Sequence, residues 1–180
     1  MLSQTTHAQG RGKFFFLEGQ LGLLHHGGIG GLGSLTFGMG GKVPGSDLRA
    51  YFMLEGGGSR STQGEATKQD TERLYGQLGL RLLWPLRHTP VSVLMEGLLG
   101  GASSEATLTR PNRVSLRGSD RALLATAGMG VQIRMLQSLS ITLRGQVQYN
   151  PDPMDELRRR MGLNRSAMFL AATGGVTWHF

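Results

Sequence analysis

The chain contains no cysteine, which rules out disulfides and thiolate chemistry and leaves the redox compartment open. It also lacks any apolar run of about eighteen residues, so a membrane-crossing helix is excluded. Charged residues are scarce at 17% and aromatics at 7%. The formal net charge of +7 is spread along the chain without a continuous basic tract or recognition motif, so nucleic acid is not expected as a partner. The opening MLSQTTHAQG has neither a basic n-region nor an apolar h-region, and no signal peptide is expected in the chain as it stands. Residues 1–12 read as a flexible tail; alternatively, Thr6, His7 and Ala8 ahead of Gln9 are the remnant of a small-residue cleavage site.

Glycine, by contrast, occupies 29 positions. Each glycine inside a helix costs about 1 kcal/mol relative to alanine, so this composition argues against a helical protein. A small, tightly curved sheet accommodates it, because glycine relieves crowding and permits bends.

The chain's last stretch shows what the glycines serve. In 165–180, Met168, Leu170, Ala172, Gly174, Val176, Trp178 and Phe180 fall on one side, and Phe169, Ala171, Thr173, Gly175, Thr177 and His179 on the other. That is the period of a strand with one apolar face. The alternation recurs over 13–25, 32–41, 47–57, 72–84, 91–101, 120–135 and 139–149. Segments of about ten residues have the length of transmembrane β-strands, and an even number of them permits closure without an exposed edge. The expected fold is therefore all-β: an eight-stranded antiparallel up-and-down transmembrane β-barrel over 13–180, one domain.

Between strands, the links 42–46, 85–90 and 136–138 are short, whereas 58–70, 102–119 and the last link are long. The first link is the exception, a compact turn through Gly27, Gly28, Gly30 and Gly31. Alternate links lie at the same end of a meander, so one rim is tight and the other elaborated. The long loops are then external and both termini periplasmic. In the last link, Asp152, Pro153, Asp155 and Glu156, followed by the basic run 158–160 and Gly162, predict a two-turn helix.

Period 2 does not distinguish inside from outside, and a soluble barrel around a ligand is the architectural rival. Long strands, large residues on the apolar face and charged residues on the other favour the membrane. On that reading Glu18, Glu55 and Glu96 share the lumen with Arg49, Arg73, Arg81, Arg134 and Arg144. The expected network pairs these charges so that no carboxylate is buried alone. The functional alternative is a polar conduit with a proton-sensitive gate. An eight-stranded lumen is only wide enough to be filled by side chains, which argues against a diffusion pore.

Trp84, Tyr149, Trp178 and Phe180 near strand ends are candidates for aromatic girdles. Within GGVTWHF, the alternating Val176, Trp178 and Phe180, together with the eight-strand pattern, resemble the small outer-membrane β-barrel superfamily typified by the OmpA transmembrane domain and OmpX-like proteins. The resemblance implies that this ending is the assembly signal read by the barrel assembly machinery. It further implies location in the outer membrane of a Gram-negative bacterium, with outer-membrane lipids including lipopolysaccharide as partners.

Chemistry is harder to find. His25 and His26 are adjacent on a strand, point to opposite faces and have no carboxylate at close spacing, so no metal is expected. The glycine-rich turn lacks the phosphate-loop pattern, and no cofactor is expected. Outer-membrane lipid deacylases need a serine, a histidine base and an orienting acid; the HxS arrangement of such enzymes is absent, and His88 and His179 fall at the tight rim. No catalytic residue is therefore expected, and a lipid-modifying enzyme is the least favoured class. Arg110, Arg113, Arg117, Arg158, Arg159 and Arg160 in the long links are candidate contacts for lipid phosphates or an acidic partner, with plain solvation as the alternative. The outward glycines Gly19, Gly76, Gly97 and Gly174 would allow another membrane element to approach, or simply let strands curve. The expected role is an anchor, scaffold or binding protein acting through external loops, with a narrow gated channel or transport accessory as the alternative.

Overall fold

The computed structural model describes residues 15–25, 29–63, 68–109, 115–150 and 168–180. Eight strands follow in order: β1 Phe15–His25, β2 Ile29–Lys42, β3 Arg49–Gln63, β4 Lys68–Pro85, β5 Val91–Thr109, β6 Ser115–Arg134, β7 Leu139–Tyr149 and β8 Met168–His179. Each pairs antiparallel with its neighbour, and β8 returns to β1 to close the barrel. The closing seam runs from Phe16 opposite His179 to His25 opposite Leu170. The chain is an all-β, eight-stranded, up-and-down closed barrel.

The two faces divide by chemistry. Outward positions carry exposed large apolar side chains on every strand, such as Leu21 on β1, Leu78 and Leu80 on β4, and Leu143 on β7. Inward positions carry buried Glu, Arg, Gln and Thr. On β4 the outward set from Leu74 to Trp84 is uninterrupted except by Gly76. On a tilted strand that length matches the ~25 Å apolar band of a membrane barrel. Water would penalise so large an exposed apolar surface, whereas hydrocarbon does not. At the tight rim, Phe15 stacks with Phe37 at 6.1 Å and with Phe180 at 6.2 Å, and Trp84 and Trp178 are exposed there as well.

The strands are longer than alternation alone indicates. Most of 58–70, expected as a loop, is strand: β3 runs on to Gln63 and β4 begins at Lys68. Likewise β5 continues to Thr109 and β6 starts at Ser115, within the segment 102–119. Above the apolar band both faces meet polar surroundings, so the hydrophobic alternation fades while the backbone ladder continues. Cross-strand charge replaces it as the visible signal. Arg60 pairs with Glu72 at 3.5 Å, the Thr62 hydroxyl donates to Asp70 at 2.6 Å, and Arg117 donates to Glu105. Gly30 and Gly31 are also strand rather than turn, paired with Leu24 and Leu23. The helix expected after Asp152 lies outside the described residues.

Glycine position matters through sterics rather than backbone freedom. A Cβ placed on inward Gly79 would stand 2.0 Å from the Gly97 carbonyl oxygen, while outward Gly97 has nothing within 4 Å. Gly79→Ala is expected to cost about 1–3 kcal/mol by overpacking. Gly97→Ala should be neutral or stabilise by about 0.4–1 kcal/mol by restricting the unfolded chain. Urea unfolding in lipid vesicles separates the two.

Candidate functional site

The lumen is layered. Near the tight rim, Phe16, Tyr51, Met53, Leu83, Leu94 and Leu98 form an apolar plug. At the opposite end, Leu24, Leu32, Tyr75, Leu124 and Phe169, with Ala102 and Ala171, form a second. Between them lies a chain of five charges.

Arg81 on β4 grips Glu18 of β1 with both terminal nitrogens, Nη1 to Oε2 at 2.9 Å and Nη2 to Oε1 at 2.8 Å. Its Nε and Nη2 also donate to Glu96 Oε2 at 3.1 and 3.0 Å. Glu96 of β5 then accepts from Arg144 Nη1 of β7 and from Gln146 at 3.0 Å. Arg144 Nη2 reaches Glu55 Oε2 of β3 at 2.8 Å. The order is thus Glu18–Arg81–Glu96–Arg144–Glu55, alternating in sign and tying five strands together. Hydroxyls and amides complete each carboxylate. Thr142, Thr177 and Gln20 donate to Glu18, and Thr36 and Tyr75 donate to Glu55 at 3.0 and 3.3 Å. Arg81 also lies over the Phe16 ring, 5.0 Å from its centroid. Charges taken this far from water are tolerable only with this degree of pairing.

Three other arginines expected in the lumen stand outside this charge chain. Arg49 and Arg134 mark the first residue of β3 and the last of β6, where the barrel mouth meets solvent; Arg49 is half-buried and Arg134 exposed. Arg73 points inward and is buried, but on the far side of Tyr75, and it stacks on Phe169. Register separates the cases. Arg81 is directly opposite Glu96 on β5, whereas Arg73 is opposite Ser104.

On the outside, Arg117 is a strand residue of β6, exposed and hydrogen-bonded to Glu105, which raises its pKa above the ordinary arginine value. Arg60, Lys68 and Arg121 share that end of the barrel, with Arg60 and Lys68 close to Glu72 and Asp70 respectively. Arg110, Arg113, Arg158, Arg159 and Arg160 lie outside the described residues. Val176, Trp178 and Phe180 all point outward and are exposed.

Among the described residues no group of three or more His, Asp or Glu is placed to hold a metal ion. Ser140 and His179 approach within 3.2 Å at the tight rim, but Glu18, Glu55 and Glu96 are committed to the arginines deeper in the lumen.

No protein-family model matches the chain, and no curated protein matches it. Solved structures do. A major outer membrane protein of Thermus thermophilus superposes with a TM-score of 0.61 at 14% identity, covering 92% of this chain and 99% of that one. Neisserial surface protein A gives 0.60 at 11% identity over 92% and 97%. The outer membrane enzyme PagL gives 0.57 at 12% identity over 90% and 97%. At such identities the likeness is one of fold, and a fold shared by a surface protein and an enzyme does not set an activity.

Proposed function

We propose that this chain is an outer-membrane β-barrel without chemistry of its own, a membrane anchor and scaffold that presents its extended β3–β4 and β5–β6 hairpins to the exterior. The observation that carries this reading is the filled lumen. Five mutually paired charges between two apolar plugs leave side chains where a conduit would need water. Support for the membrane comes from the apolar outer band and from the outer-membrane proteins that share the fold. The tight rim, where Phe15 and Phe180 meet, then faces the periplasm, and Val176, Trp178 and Phe180 serve as the signal for barrel assembly.

Arg60, Lys68, Arg117 and Arg121 lie exposed at the hairpin end. Together with Arg110, Arg113 and the 158–160 run, they suit lipid phosphates such as those of lipopolysaccharide, or an acidic protein partner. Attraction of this kind weakens with salt.

Reconstitution into planar bilayers tests the scaffold against the conduit. The expected result is no stable conductance above that of the bare bilayer. Steady unitary currents that disappear in Glu96→Gln would instead establish a gated channel. A change in lipid acylation on expression would establish an enzyme.

A further inference from the structure

Arg73 is a buried cation set apart from the five-charge chain. It is 5% exposed, its Nη1 has no hydrogen-bond partner, and no carboxylate pairs with it among the described residues. Its guanidinium lies over the face of Phe169, 3.9 Å from guanidinium carbon to ring centroid. A guanidinium brings five donors and a permanent charge, and a ring face compensates only part of its lost hydration. The carboxylate chain does not serve it. Tyr75, two residues deeper on β4, stands between them and spends its hydroxyl on Glu55.

A second orphan lies against the same ring. Gln148 on β7 is buried, its Nε2 has no partner, and it is the direct register partner of Phe169. Directly opposed residues of an antiparallel pair have Cβ atoms about 5 Å apart on one face. By the same rule Ser59 and Ser104, opposite Arg73 on β3 and β5, place hydroxyls beside its stem. One full charge, one amide donor and two hydroxyls therefore gather around an aromatic floor, on the hairpin side of the apolar plug.

We propose that Arg73 and Gln148 form a receptor for a small oxyanion, of the phosphate, sulfate or carboxylate class, entering the lumen from its hairpin end. The guanidinium supplies charge and paired donors, the Gln148 amide a further donor, and Phe169 holds the guanidinium plane in place. Buried donors with no acceptor are what such an anion satisfies. The site is closed toward the membrane by the barrel wall, so a free anion rather than a lipid headgroup is the ligand.

The test uses the full chain, nitrogen-15 labelled, in lipid nanodiscs, titrated with inorganic phosphate against chloride at equal ionic strength. Saturable shifts are expected at the amides of Arg73, Gln148 and Phe169. Arg73→Gln should abolish them, and Gln148→Leu should weaken binding about tenfold, the order expected for one hydrogen bond to a charged group. Each variant is checked for folding by its heat-modifiable gel mobility, and Gln148→Leu keeps the test open if Arg73→Gln fails to fold. Absence of saturation in the wild type, or equal binding by Arg73→Gln, overturns the proposal. So does phosphate binding that appears only in Asp120→Asn, because Asp120 is opposite Ser104 on β6 and would then be the internal counter-ion. Removing Arg60, Arg117 and Arg121 together should leave the titration unchanged, which separates this site from the outer surface.

Discussion

Replacing Arg81 by methionine is expected to destabilise the barrel by about 3–5 kcal/mol, because it leaves buried carboxylates without their cation. Glu18 would lose its bidentate partner and Glu96 one of its two arginines, in a layer sealed by apolar plugs at both ends. Glu18 would retain only neutral donors from Thr142, Thr177 and Gln20. Adding Glu18→Gln and Glu96→Gln to Arg81→Met should recover much of the loss, since neutral groups of similar volume avoid the desolvation penalty. Urea unfolding in lipid vesicles, followed by the fluorescence of Trp84 and Trp178, measures both. A loss below about 1 kcal/mol for Arg81→Met, the value typical of exposed pairs, would mean that the five-charge chain is hydrated.

The second large effect concerns the outer face. Leu78→Arg and Leu143→Arg, near the middle of the apolar band, are each expected to cost about 2–4 kcal/mol in a bilayer, whereas Leu74→Arg at its edge should cost about 0–1 kcal/mol. All three side chains are exposed. In a water-soluble barrel, arginine at these exposed sites would be nearly free of cost, and the depth dependence would vanish. The same urea experiment distinguishes the two environments. A flat response across the three positions would remove the membrane from the account.

Alternation reveals strands only where the two faces meet different solvents. Within the band, hydrocarbon outside and packed polar groups inside give Leu139, Ile141 and Leu143 one direction and Ser140, Thr142 and Arg144 the other, so strand number and order could be read directly. Beyond the band both faces of Ser59–Arg60–Ser61–Thr62 are polar, and the ladder that continues there left no periodic trace. The lumen was legible by face but not by partner. Arg73 and Arg81 have the same sequence signature, an arginine on the polar side of β4. Which of them meets a glutamate depends on the stagger between β4 and β5, a property of barrel closure rather than of either strand alone. The apolar plugs were hidden for a related reason: inward Leu24, Leu94 and Phe169 sit within faces otherwise read as polar, and only their gathering from several strands turns isolated residues into layers.

The seam between the first and last strands also joins groups from the two ends of the chain. Glu18 is supplied by β1, yet its partners come from β4, β7 and β8, so the earliest strand made waits for the latest to finish its hydrogen bonding. Arg144 likewise needs Glu55 from β3 and Thr173 from β8. A partly assembled sheet therefore holds its charges on an open concave surface, and they must stay hydrated until the ends meet. Zippering the seam and drying the interior become a single late step. Contacts this distant in sequence make that step slow.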